Sequence, residues 1–205
     1  MAEATRRQLL MAAQEIFAES GLEGARIDAI AKRAGVNKQL VYHYFESKDG
    51  LYSAVLEKVY SEIRNREADL HLDALPAEEA MRRLIEFSYD YLRDNRDFVR
   101  LLADENVHGG RHMNASETVQ QINNPTIELI SKTLARGVDE GLFRKGIDPL
   151  HFYLSIAGMS FFYFANIHTI SRAFARAFDT AEAQDERRAH IVDLAMNGIR
   201  LRPNA

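Results

Sequence analysis

Apolar residues recur at intervals of three and four along almost the whole chain, and no segment alternates as a half-buried strand would. Leu9, Ala13, Ile16 and Phe17 make one such stripe, closed by Gly21. Ile27, Ile30, Ala31 and Ala34 make a second, stopped by Gly35. A chain patterned this way has to bury helix faces against helix faces, so the fold class is all-α. Further helices are expected over 47–70, with a cap at Ser47, and over 76–93 and 96–107. Asn124-Pro125 starts or kinks one that ends at Gly141, Asp148-Pro149 starts one that runs to 171, and Asp185 caps a last one to about 201. That makes about nine helices, with GGRHMNAS read as a loop. Short helices with tight turns give way to long ones near residue 50. The expected division is therefore a three-helix N-terminal domain over 1–50, a linking helix from 47, and a helical C-terminal domain over 51–205.

The 205 residues suffice for a small domain plus a larger one. A net charge of −4 excludes a globally cationic nucleic-acid binder, so any DNA contact has to come from local placement of charge. Cysteine is absent, which removes disulfide and thiolate chemistry. The opening MAEATRRQLLMAAQEIF has acidic residues and no secretory pattern, and a cytoplasmic helix is expected there. Pro149 to Ser171 contains no Asp, Glu, Lys or Arg, which raises the question of a membrane span. His151, Ser155, Ser160, Asn166 and His168 interrupt it, so a buried helix or a subunit interface is expected and no membrane.

The stretch AGVNKQLVYHYFESKDGLY, 34–52, strings three aromatic rings and a histidine along one short helix. The second stripe, a turn at Gly35-Val36-Asn37 and this helix form a helix-turn-helix. At about 100° per residue, Leu40, Val41 and Tyr44 gather on one side and Lys38, Gln39, Tyr42 and His43 on the other. The second set suits a major groove. Lysine donates to guanine O6 or N7, glutamine pairs with adenine N6 and N7, and a phenol is a common phosphate donor. The helix N-terminus adds N–H groups that favour phosphate. Residues 1–50 hold seven Lys or Arg against seven Asp or Glu, so position rather than net charge carries the reading. Arg26, Lys38 and Lys48 stand at or just before helix starts.

GLEGARIDAIAKRAGVNKQLVYHYFESKDGLYSAVL resembles the N-terminal DNA-binding module of the TetR family of bacterial transcription regulators. The likeness covers about residues 8–56 and includes "IA..AGV", "YHYF" and "SKDGLY". Ala25 and Arg26 depart from it, standing where the family usually has threonine or serine; Asn37 replaces a common serine or threonine and keeps a cap. The resemblance implies that Lys38, Gln39 and His43 face bases and that Tyr42, Lys48 and Arg26 hold phosphates. It further implies a ligand-responsive regulator, chiefly a repressor released from a pseudo-palindromic operator in double-stranded DNA, whose C-terminal domain binds a small effector and forms a homodimer. The alternative is a helical small-molecule-binding protein or enzyme whose DNA-binding module is unused.

Four consecutive rings, Phe161 to Phe164, point all around one helix, toward a core or pocket and toward a partner. Phe161, Phe164 and His168 with Ile191, Leu194 and Ile199 of the last helix are the expected dimer interface. Phe87, Tyr91, Phe98, Leu102, Tyr153 and Phe162, with Asn106 and His112 for polarity, are candidate pocket lining between the middle helices, and suggest a hydrophobic or aromatic effector. Glu105, His108 and His112 are of a type that ligates metals, but a helix end running into a solvated loop accounts for them. No HExxH, phosphate loop, GxSxG or dinucleotide fingerprint is present, so no enzyme, metal or cofactor is expected.

Overall fold

A computed structural model of the chain describes residues 2–114 and 117–201, with side chains for all of these except 114 and 117–124. Eleven α-helices are present among the described residues: α1 (Ala2–Gly24), α2 (Ile27–Ala34), α3 (Gln39–Phe45), α4 (Lys48–Ala68), α5 (Ala77–Asp94), α6 (Arg96–Val107), α7 (Arg111–Asn114), α8 (Glu117–Asp139), α9 (Pro149–Ala165), α10 (Ile167–Ala173) and α11 (Ala181–Ile199). A single 3-10 turn covers Leu72–Ala74, and the one extended feature among these residues is an isolated bridge between Phe143 and Arg200.

The chain divides into two compact units: Met1–Glu62 with Asn95–Ile122, and Ile63–Asp94 with Asn123–Ala205. This differs from a single cut near residue 50, because α6 packs on α1 and so belongs with the N-terminal helices. Helix periodicity reports which residues are buried but not which helix covers them. In the first unit Leu9, Ala13 and Phe17 of α1, Ile30 of α2, Val41 of α3, Leu51, Tyr52 and Val55 of α4 and Leu101 of α6 are buried. In the second unit α5 packs against α9 and α11, burying Met81, Ile85, Tyr89, Phe152, Ile156, Ile191 and Met196.

Several expected boundaries move. The uncharged stretch is two helices, bent by 72° at Asn166, and no single helix among the described residues is long and apolar enough to cross a membrane. At the bend the Asn166 side chain turns back to the Phe162 carbonyl. The expected loop at 109–116 contains α7; positions 115–116 lie outside the described residues. Pro125 sits inside α8, which starts at Glu117. Thr180, not Asp185, caps α11: its hydroxyl accepts the Ala183 N–H at 3.2 Å.

Candidate nucleic-acid interface

The corner carrying α3 is set by local chemistry. Gly35 closes α2 in the left-handed region, with φ +69°, and its N–H reaches back to the carbonyls of Ala31 and Lys32. Asn37 then caps α3 through Oδ1, which accepts the Gln39 N–H at 2.9 Å. The Leu40 and Val41 N–H groups go to the carbonyls of Asn37 and Lys38, so these donors at the start of α3 are met within the chain. At the other end the Ser47 hydroxyl accepts the Gly50 N–H at 2.9 Å and starts α4. A Cβ on Gly50 would stand 2.2 Å from the Phe45 carbonyl oxygen, so the α3–α4 turn is tight enough to need glycine there.

The helix faces divide as the wheel predicts. Val41 and Phe45 are buried, Leu40 and Tyr44 half-buried, and the Arg6 guanidinium lies over the Phe45 ring at 5.3 Å. Lys38, Gln39, Tyr42 and His43 are exposed, Tyr42 at 49%. Arg26 is exposed and extended just before α2, with no side-chain cap on that helix, while Ala25 is buried. Lys38 pairs with Asp28 at 3.1 Å, an exposed contact that contributes little to stability and leaves the ammonium available. Lys48, half-buried, donates to the Glu23 carbonyl at 3.2 Å. Arg6 has no assigned role in the sequence reading. Its stacking on Phe45, at the end of α3, is a contact that only tertiary packing reveals.

One carboxylate braces this unit from α6. Asp104 Oδ2 accepts both the Leu22 N–H at 2.9 Å and the Tyr52 phenol at 3.0 Å. Burial, then the bond to Asp104, holds the Tyr52 phenol far above its ordinary range, so it stays a donor. Beside it Glu105 and His112 are both buried. Glu105 Oε1 accepts the His112 backbone N–H and Oε2 meets His112 Nδ1, each at 2.7 Å. His112 does fold back, but into an enclosed pair rather than a solvated loop. His108 Nδ1 lies 2.8 Å from the Asp104 carbonyl. Among the described residues no group of three or more His, Asp or Glu is arranged to hold a metal ion.

The candidate effector residues fall into both units. Phe98, Leu102, Asn106 and His112 belong to the first and Phe87, Tyr91, Tyr153 and Phe162 to the second. Asn106 is exposed and its amide turns to its own helix at Leu102. Phe98 is buried against Tyr60, and Phe87 lies 5.7 Å from Tyr91. Phe162 is 59% exposed, so it lines no interior pocket of its unit. The expected dimer residues also redistribute. Phe164 packs on Tyr89 at 4.8 Å, and Ile191 and Ile199 are buried in their own unit. The register of α9 turns Phe164 toward α5. Leu194 and His168 are exposed and Phe161 half-buried. Leu150 and Leu154, absent from the expected set, are exposed on α9 with Phe162. A cavity of about 590 Å³ lies between α9 and α11, lined by Phe152, Ser155, Met159, Leu194 and Gly198 among others.

Comparison with known proteins places these features in a family. The family model described as "Bacterial regulatory proteins, tetR family" matches residues 9–55, and "Tetracyclin repressor-like, C-terminal domain" matches 77–195. The chain is 36% identical over 199 residues to the HTH-type transcriptional repressor NicS of Pseudomonas putida, covering 97% of this chain and 94% of that protein. Two solved structures share the fold. The ketosteroid transcriptional regulator KstR2 of Mycobacterium tuberculosis has a TM-score of 0.68 at 22% identity, covering 96% of this chain and 95% of that one. The transcriptional regulator FadR from Bacillus subtilis, in complex with stearoyl-CoA, has a TM-score of 0.69 at 16% identity, covering 94% and 98%.

Proposed function

The chain belongs to the TetR family of bacterial regulatory proteins, and from that premise we propose that it is a ligand-responsive transcriptional repressor that binds DNA as a homodimer. One observation carries the reading: on α3 the apolar residues Val41 and Phe45 are buried, while Lys38, Gln39, Tyr42 and His43 stand side by side in solvent. Gln39, Lys38 and His43 read base edges, and Tyr42, Lys48 and Arg26 hold phosphates.

The dimer reading rests on an apolar strip. Leu150, Leu154 and Phe162 are exposed on α9 around Gly158, with Leu194 and Gly198 on neighbouring α11. Such a strip on a single chain is the mark of a covered face. Two copies then read two half-sites of a pseudo-palindrome. Binding of a small effector in the C-terminal helical domain favours a state whose two α3 helices no longer match the half-site spacing, and the DNA is released. A relative of this fold holds stearoyl-CoA, which supports the effector reading.

The test is a mobility shift with DNA flanking the chain's own gene at two salt concentrations. A specific complex that weakens steeply with salt is expected. Gln39→Ala is expected to cost about 1–3 kcal/mol and relax preference at one base, and Tyr42→Phe to weaken all sequences alike. If both variants lose equally on specific and scrambled DNA, this division of roles fails.

A further inference from the structure

In the second unit one cation is buried more completely than its partners require. The Arg64 side chain, on α4, is 10% exposed. Its Nη1 donates to Glu67 Oε2 at 2.6 Å and also to the Thr126 hydroxyl. Its Nη2 reaches the Tyr153 phenol at 3.3 Å, a long bond, with the ring centre 5.9 Å away. Its Nε has no partner. The strong bonds therefore gather at Nη1. The other edge, Nε–H beside Nη2–H, is the fork that takes a carboxylate side-on through two parallel hydrogen bonds. Here that edge carries one long contact and one orphan donor.

A buried guanidinium with an unmet N–H weakens the fold rather than supporting it. Well-packed apolar side chains would serve packing better, so an acceptor from outside the chain is the economical account of the bare edge. Charge limits what that acceptor is. Glu67 is the carboxylate already paired with Arg64, and burial raises its carboxyl above the usual range, with Arg64 and Thr126 opposing. Glu67 meets the guanidinium at Nη1 alone, so the Nε–Nη2 edge stays electropositive, while nearby Glu67 disfavours a dianion such as phosphate.

We propose that Arg64 anchors the effector by a single carboxylate, received side-on by Nε and Nη2, with the Tyr153 phenol donating to the same group. Glu67 and Thr126 act as positioning residues that fix the guanidinium plane. The ligand class is an organic monocarboxylate. That it is an effector rests on the regulator reading above; the site itself does not.

The experiment uses the full chain and four acids, benzoate, cyclohexanecarboxylate, hexanoate and octanoate, each beside its primary amide. Thermal melts and the mobility shift are read together. At least one acid is expected to raise Tm and release DNA while its amide does neither. Arg64→Lys is expected to weaken that acid at least about thirtyfold. Arg64→Met, made together with Glu67→Gln so that no buried carboxylate loses its partner, is expected to abolish its effect while leaving the helical fold and the DNA complex intact. Amides as effective as acids, four acids that all leave Tm unmoved, or a doubly substituted protein that still responds would each overturn the proposal. Absence of any specific DNA complex would instead refute the regulator reading, with the melts still deciding the carboxylate site.

Discussion

Removing the Asp104 carboxylate isolates what α6 contributes to the DNA-binding unit. Both hydrogen bonds converge on one oxygen, Oδ2, from the Leu22 N–H and the Tyr52 phenol. Hydrogen bonds to a charged group are worth about 1.5–3 kcal/mol each, and donors left unmet in the interior cost about 1–3 kcal/mol. Leu22 and Tyr52 are essentially inaccessible to water, but the phenol keeps a fallback at the Leu101 carbonyl, 3.3 Å away, and the Asp104 side chain is 22% exposed. With those reliefs Asp104→Ala should destabilise by about 2–4 kcal/mol. Asp104→Asn retains one oxygen for the same two donors and loses only the charge, so it should cost about 1 kcal/mol. Urea melts followed by circular dichroism give the difference, and a cycle with Tyr52→Phe should return a coupling of about 1 kcal/mol. Equal losses for Ala and Asn, or a loss under about 0.5 kcal/mol for Ala, would show that the convergent oxygen is not what braces Leu22 and Tyr52.

Gly50→Ala should destabilise by about 1–3 kcal/mol despite alanine's better helix propensity, because the added carbon meets the Phe45 carbonyl oxygen at 2.2 Å; thermal melts and the loss of specific DNA binding check it. Glu67 gives a pH signature. Its carboxyl titrates above 4.5 in the folded chain because of burial, so the stability it contributes is whole below that value and is lost as pH rises through the folded one. The Tm of the native chain should therefore fall relative to that of Glu67→Gln over this interval, and parallel curves would refute the assignment. Leu154→Asp should shift the chain toward monomer in sedimentation at a fixed concentration while leaving its helical circular dichroism unchanged. An unaltered mass would refute the dimer reading of this face.

The helix-turn-helix was legible in the sequence because its determinants are local. The Asn37 and Ser47 caps, the turn glycine and the split of Val41 and Phe45 from Gln39 and Tyr42 all follow from neighbours within one or two turns. What was not legible depends on distant partners. Asp104 lies 82 residues from Leu22, and Arg64 lies 62 from Thr126 and 89 from Tyr153. No periodicity shows which helices will face each other. The same limit explains Phe162 and Phe164. Consecutive rings announce a helix crowded on every side, but only the packing of α5 decides that Phe164 goes inward onto Tyr89 and Phe162 outward. The sequence also weighted aromatic residues as ligand contacts, because they are conspicuous. The polar cluster around Arg64 is drawn from ordinary residues on three helices and leaves no local trace.

The bare leucines of α9 have a consequence for the cell as well as for the molecule. If pairing must precede operator recognition, occupancy follows the square of chain abundance at low copy number, and the genetic switch acquires a threshold that no effector sets. Newly made copies, still solitary, would be the stickiest form of this regulator and the one most in need of a prompt mate.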